Sequence, residues 1–262
     1  MIPASDLQLS VVVPVKNEAA NIGPLVEEIS AAVSPRGAFE VVVVNDGSSD
    51  GTSEELARLR TTRPWLREVR HERSCGQSAA VRSGVLAARA PLVGTLDGDG
   101  ENDPAYLTAL IDALGAAGPG CGLAQGQRVG RKASQFKRFQ SRIANNVRGR
   151  ILRDGTRDSG CGLKVFRREV YLALPYFDGQ HRFLPALVKR EGFGVTHVDV
   201  VDRSRRHGSS NYGMWDRRMV ADPPSAARAR GAGDQLTWSF TSPPNSASGS
   251  MMSSLPSSTP GS

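Results

Sequence analysis

Phe39-Glu40-Val41-Val42-Val43-Val44-Asn45-Asp46-Gly47-Ser48-Ser49-Asp50-Gly51-Thr52 carries the plainest fold signal in this 262-residue chain. A β-branched run from Phe39 to Val44 that breaks off into small polar residues reads as a buried parallel strand whose carboxyl end carries function. Leu9 to Val13 has the same form upstream. Between them Ile22, Leu25, Val26, Ile29 and Val33 recur at helical spacing, with Glu27 and Glu28 on the opposite face, so a helix crosses over between two parallel strands. Downstream, a helix over about 53–60 is predicted to start at Thr52, with Glu55 three residues on as a capping box. Leu66 to Arg70 reads as a weaker strand, Gln77 to Ala88 as a helix, and Leu92 to Leu96 as a strand running into Asp97-Gly98-Asp99. Asp103-Pro104 supplies a cap and a first-turn proline for a helix over about 105–116, which the glycines from Gly115 to Gly122 end.

This alternation implies an α/β fold in a single domain, a Rossmann-like, mainly parallel sheet with helices on both faces. A basic helix from about Ser134 to Leu152 and a strand-like Leu163 to Phe166 follow. From about Ala221 the chain turns to Pro, Ser, Gly and Ala with scattered Arg, a mixture too poor in apolar surface to order itself. The expected division is a folded domain over 1–220 and a disordered low-complexity tail over 221–262.

Hydrophobic residues make up 39% of the chain, enough to bury a core, and the net charge of +7 favours phosphate-rich partners. Cys75, Cys121 and Cys161 are too widely spaced for a zinc set or a disulfide framework, which fits a reducing, cytoplasmic setting. Neither a signal peptide nor a run long enough for a membrane-spanning helix is visible, so membrane contact is expected to be peripheral, at the cytoplasmic face. Aromatics, at 6%, offer no stacking platform for nucleic acid, which is not expected as a partner.

Three segments could do chemistry. Asp97, Asp99 and Glu101 alternate just past a buried strand and could converge on one hard cation, Mg or Mn, which commonly completes its shell with substrate phosphates. A solvated acidic turn would share that pattern. Asp46 lies at another strand end, and in open α/β sheets ligands bind outside the carboxyl ends of strands, so Asp46 and the acidic cluster could face one cleft. Asp50 and Ser53 suit a turn or cap. Val13-Pro14-Val15-Lys16-Asn17-Glu18 ends the first strand without the glycine pattern of a dinucleotide-binding or P-loop protein, so a nucleotide would be read there by a carboxylate and backbone groups.

The ordered set VVVPVKNE, VVVVNDGSSDGT, GQSAAVRSG, LDGDGENDP, GQRVGRK, KRFQSRIAN and DSGCGLKVFRRE resembles the family 2 glycosyltransferases of GT-A fold, particularly the polyprenyl-phosphate sugar transferases typified by dolichol-phosphate mannose synthase. The resemblance spans about Leu9 to Tyr212. It implies that Pro14, Lys16 and Glu18 border base and ribose and that Asp46 contacts the nucleotide. Asp97, Gly98, Asp99 and Glu101 would then gather metal and diphosphate. Arg128, Lys137, Arg138 and Ser141 look like contacts to acceptor phosphate and sugar phosphate, where cationic groups offset the repulsion between two anions. Arg205 is in register with a late basic segment that closes over the diphosphate, although Asn211 stands where lysine is typical.

The function implied is inverting transfer of a sugar from a nucleotide-sugar donor to a polyprenyl phosphate, with the metal as Lewis acid on the departing diphosphate. GDP-mannose is the first donor expected, and UDP-glucose or a UDP-linked amino sugar the next. Such an acceptor is already anionic and needs no strong base; Asp158 is the candidate base if the acceptor is instead a sugar hydroxyl. Many relatives continue into hydrophobic helices where this chain turns polar, which implies reliance on lipid or on a membrane partner subunit. The alternatives are a glycosyltransferase acting on a sugar hydroxyl in polysaccharide or cell-envelope synthesis, or a nucleotide-sugar-binding protein without turnover.

Overall fold

The computed structural model describes Pro3, residues 6–129, Thr156 and residues 158–204. In chain order these form β1 (Leu9–Val15), α1 (Ala19–Val33), a 3₁₀ turn (Ser34–Arg36), β2 (Phe39–Asp46), α2 (Thr52–Arg60), β3 (Leu66–His71), α3 (Gln77–Ala87), β4 (Leu92–Thr95) and α4 (Tyr106–Ala116). Then come β5 (Cys121–Arg128), β6 (Lys164–Arg167), α5 (Arg168–Ala173), α6 (Gln180–Arg190) and β7 (Gly194–Val200). The predicted helix over 134–152 and the predicted tail over 221–262 lie outside the described residues.

The strands form one sheet in the order β3-β2-β1-β4-β6-β5-β7, six parallel and only β6 reversed. Period-two alternation sends neighbouring residues of each strand to opposite faces. Val11, Val13 and Val15 of β1 pack with Ile22, Leu25 and Ile29 of α1, Leu56 of α2 and Leu107 and Leu110 of α4. Val12 turns the other way, with Val42 and Val44 of β2, to meet Val81 and Val85 of α3, Val170 of α5 and Leu184 of α6. Burial on both faces is why these strands read as unbroken apolar runs. No helix among the described residues is long and apolar enough to cross a membrane.

Two local expectations change. The capping box at Thr52 does not form: Thr52 is already helical and its hydroxyl donates to Asp50 Oδ1, which also accepts from the Thr52 amide at 3.0 Å. Asp50 stands just before the Gly51 N-cap, and its Oδ2 also accepts from Ala19 N at 3.2 Å, tying the start of α2 to the start of α1. The second change is β5, Cys-Gly-Leu-Ala-Gln-Gly-Gln-Arg, whose glycines and polar residues gave no strand signal. Its glycines sit where neighbours crowd in: a Cβ on Gly122 would lie 3.0 Å from Phe193 Cβ, and one on Gly126 would lie 3.0 Å from Cys161 Sγ.

At the amino edge of the sheet Glu40 is wholly buried inside β2. Its carboxylate accepts from Ser10 Oγ at 2.7 Å, Arg67 Nη1 at 2.8 Å, Arg89 N at 2.7 Å and Arg89 Nε at 2.8 Å. Burial pushes its pKa up, but the hydrogen bonds from Ser10, Arg67 and Arg89 outweigh that and bring it below the ordinary glutamate value. A group with a depressed folded pKa stabilises above its unfolded pKa and loses that contribution as pH falls through the folded one. Glu40→Gln should therefore cost about 3 kcal/mol in urea unfolding at pH 7, by uncoupling two arginines from a buried carboxylate. The difference from wild type should shrink as the pH drops below about 4.3; a pH-independent difference would contradict the charge account.

Candidate active site

Because β6 alone runs backwards, the loop before it arrives at the edge where the six parallel strands end. That edge therefore gathers Lys16 and Asn17 after β1, Asp46 at the end of β2, Asp97 to Glu101 after β4, Arg128 at the end of β5, Asp158 to Gly162 before β6 and Asp202 after β7. Asn17 makes the turn out of β1 in the left-handed region, at φ 57°. Its amide donates to Ser48 Oγ at 3.0 Å and its side-chain oxygen accepts from Ser49 N at 2.8 Å, clasping the first two strand ends together. Pro14 is buried, Lys16 is half-exposed, and Glu18 is buried with its Oε2 accepting from Asn21 Nδ2 at 2.6 Å.

The acidic loop lies directly against β1: a Cβ on Gly98 would stand 2.5 Å from Val15 Cγ1 and 2.9 Å from the Pro14 carbonyl, so only glycine fits. Asp97 Oδ1 accepts from Gln77 Nε2 at 2.8 Å, its amide donates to Asn102 Oδ1 at 3.1 Å, and Asp99 Oδ1 accepts from Glu101 N at 3.1 Å. Gly162 lets the β6 loop approach, since a Cβ there would overlap Asp97 Oδ2 and reach Asn102 Oδ1 at 2.6 Å. Burial, then the charge of Asp99, pushes the Asp97 carboxyl up to about 6, against the pull of Lys164 and Arg128.

The three carboxylates do not converge as the sequence suggested. Among the described residues the only trio of His, Cys, Asp or Glu whose ligand atoms all lie within 4.8 Å of one another is Asp46, His71 and Cys75. The chain turns at Gly98 to Gly100, with Gly100 at φ 76°, so Asp97, Asp99 and Glu101 make an open acidic rim and not a closed cage. An open rim suits a cation of the Mg or Mn type, which keeps most of its ligands from water and substrate phosphate. The raised Asp97 is a second sign of fit, because a divalent cation beside Asp97 and Asp99 would relieve their mutual repulsion.

Asp46, expected to contact the nucleotide, is tied into the protein by its own donors. It is wholly buried, and its oxygens accept from His71 Nδ1 at 2.7 Å, Cys75 N at 2.8 Å, Ser74 Oγ at 2.8 Å and Gly76 N at 3.0 Å. Against the upward push of burial, these donors hold its carboxyl below the usual aspartate range. With its oxygens engaged by four protein donors, Asp46 shapes the loop that leads into α3 and sets Gln77 beside Asp97. The same saturation argues against the Asp46, His71 and Cys75 trio as a metal site.

Arg128 and Asp158 form a bidentate pair, Nε to Oδ2 at 2.5 Å and Nη2 to Oδ1 at 2.8 Å, with Asp202 Oδ2 3.6 Å from Nη1. Asp202 also accepts from Asn102 Nδ2 at 3.4 Å, linking the pair to the acidic loop. Burial raises the Asp158 pKa, but the hydrogen bonds and charge of Arg128 pull it below the ordinary value, which makes it a weak base. Lys137, Arg138, Ser141 and Arg205 lie outside the described residues. Gln77, Asn102, Lys164 and Asp202 were not singled out from sequence, because nothing in their spacing marks them; they become visible only where distant strand ends meet.

Comparison with known proteins agrees with this architecture. Residues 10–174 match the model of the family described as glycosyl transferase family 2. The chain is 36% identical over 218 residues to the dodecaprenyl-phosphate galacturonate synthase of Rhizobium johnstonii, covering 81% of this chain and 64% of that protein. It is 33% identical over 209 residues to the undecaprenyl-phosphate 4-deoxy-4-formamido-L-arabinose transferase of Edwardsiella ictaluri, covering 79% and 63%. The chain thus spans a little under two thirds of the length of these relatives. Among solved structures, glucosyl-3-phosphoglycerate synthase from Mycobacterium tuberculosis, in complex with Mn2+ and UDP-glucose, superposes with a TM-score of 0.61 at 20% identity, covering 82% of this chain and 77% of that one. The fold is the GT-A fold, and the chain belongs to glycosyl transferase family 2.

Proposed function

We propose that this chain transfers a sugar from a nucleoside diphosphate donor to a polyprenyl phosphate, with inversion at the anomeric carbon. The observation that carries the reading is the pairing of an open acidic rim at Asp97 and Asp99 with a neighbouring Asp158 neutralised by Arg128. The rim offers a place for a metal diphosphate. The neutralised Asp158 is a poor proton acceptor, so the site favours an acceptor that arrives already anionic, as a phosphate does. The names of the two relatives support the same acceptor class.

Asp97 and Asp99 would hold a divalent cation, Mg or Mn, whose Lewis acidity would stabilise the charge that develops on the departing diphosphate. Gln77 orients Asp97 through its hydrogen bond, and Asn102 fixes the backbone of the acidic loop. Pro14, Lys16 and Glu18 are assigned to the base and ribose. Arg128, held by Asp158 and Asp202, keeps a fixed orientation on the acceptor side. Lys137, Arg138, Ser141 and Arg205 are assigned as further phosphate contacts. In this reading residues 1–220 are the catalytic domain, residues 221–262 a polar tail, and the enzyme meets its lipid at a membrane surface, alone or with a partner subunit. The relatives are named for galacturonate and for a 4-deoxy-4-formamido-arabinose, which moves the donor from GDP-mannose to a UDP-linked uronate or amino sugar.

Transfer of radiolabelled sugar to undecaprenyl phosphate, extracted into organic solvent, tests the reading. Chelation with EDTA should abolish transfer and Mn2+ or Mg2+ restore it, and Asp99→Asn should lower kcat by about 100-fold or more while the protein still melts cooperatively. Labelled lipid formed at the wild-type rate by Asp99→Asn would remove the acidic rim from the mechanism. Asp158→Asn should lower kcat by no more than about tenfold, whereas loss of a true general base costs about 10²–10⁴-fold. A fall of that larger size would shift the acceptor to a hydroxyl.

A further inference from the structure

Lys164 takes no part in the proposed transfer, yet it sits beneath the centre where transfer would occur. As the first residue of β6 it aligns with Thr95 of β4 and Gln125 of β5, one alternation beyond the apolar row of Val93, Phe166 and Leu123. Three polar side chains thus stand side by side on the face covered by α3, α5 and α6. Lys164 is 5% exposed, and among the described residues its ammonium has a single acceptor, the Cys161 carbonyl. An ammonium carries three donors. Beside it in register, the buried Gln125 Oε1 has no hydrogen-bond partner among the described residues.

Lys164 lines a cavity together with Gln77, Asp97, Tyr171 and His181. The space open to the centre of a water-sized sphere is about 20 Å³. That admits about one or two water-sized groups, hence a substituent on a sugar and not a whole ring. The wall offers little to balance a cation. Burial, followed by the charges of Lys164 and Arg182, pushes His181 down to about 3, so its ring is neutral, with Nδ1 2.6 Å from Ser78 Oγ. Tyr171 is held protonated by burial. Asp97 is the one carboxylate on the wall, so an anionic group entering the cavity would meet an ammonium that still has donors to spare.

We propose that Lys164 selects the donor sugar, its ammonium receiving a carboxylate carried by the sugar in the cavity behind Asp97. This rests on the reading of the acidic rim as a sugar-nucleotide site and narrows its substrate to a uronic acid. A site that binds a buried charge rejects the neutral analogue strongly, because that analogue leaves the ammonium unpaired.

Binding of UDP-galacturonate and UDP-galactose to the full chain, measured by calorimetry with Mn2+ and without lipid, tests the proposal. Wild type should prefer the uronate by at least about tenfold. Lys164→Met should lose that preference while still binding UDP, and Lys164→Arg should keep most of it. Equal affinity of wild type for the two sugars, no binding of UDP-galacturonate, or an unchanged preference in Lys164→Met would each overturn it. Should Lys164→Met fail to fold, the wild-type comparison and Lys164→Arg still decide: a preference lost in a folded Lys164→Arg that binds UDP also counts against a charge-reading role. No acceptor is present, so a failure of transfer to polyprenyl phosphate would count against the acceptor reading alone.

Discussion

The reversal of β6 is the constraint on which the site depends. A sheet of parallel strands delivers every carboxyl end to one edge, so the only loops it can place there are those leaving a strand. Reversing β6 between β4 and β5 brings a loop that enters a strand to the same edge, so that Asp158, Gly160 and Gly162 meet Arg128 and Asp97. The absence of side chains at Gly98 and Gly162 lets the acidic loop be gripped between β1 and the β6 loop.

The buried ionisable groups of the sheet are arranged by two different rules. Asp46, Glu40 and Asp158 are surrounded by donors, which hold them ionised and use them as rigid supports. Asp97 has been left with fewer donors than its burial requires, and its carboxyl is correspondingly hard to ionise. A carboxylate in that condition gains most from a cation, whereas a saturated one gains nothing. The contrast between Asp46 and Asp97, both at strand ends and both aspartates, comes entirely from their partners. It also separates the compact Asp46, His71 and Cys75 trio, satisfied within the protein, from the looser acidic rim.

A line of contacts joins the two halves of the site. Gln77 at the start of α3 holds Asp97, Asn102 fixes the loop behind it, Asp202 after β7 touches both Asn102 and Arg128, and Arg128 closes on Asp158. Donor and acceptor sides are thereby coupled through side chains supplied by five separate segments of the sheet edge. Such preorganisation is what fixed-charge catalysis requires, since groups already oriented need not reorganise as charge develops.

Much of this was legible in the amino-acid order. The apolar runs at Leu9, Phe39 and Leu92, with helical spacing between them, determined a parallel α/β sheet, because strands buried on both faces must be apolar throughout. The polar residues that ended those runs marked the functional edge, and the ordered motifs pointed to the family. Strand β5 was not legible, because its glycines answer to the closeness of Phe193 and Cys161, which are distant in sequence. Nor could sequence separate Asp46 from Asp97, or find Lys164, Gln77 and Asp202. Local sequence determines what each strand carries to its end, but charge state and role depend on burial and on partners drawn from other strands, and those exist only once the sheet has closed.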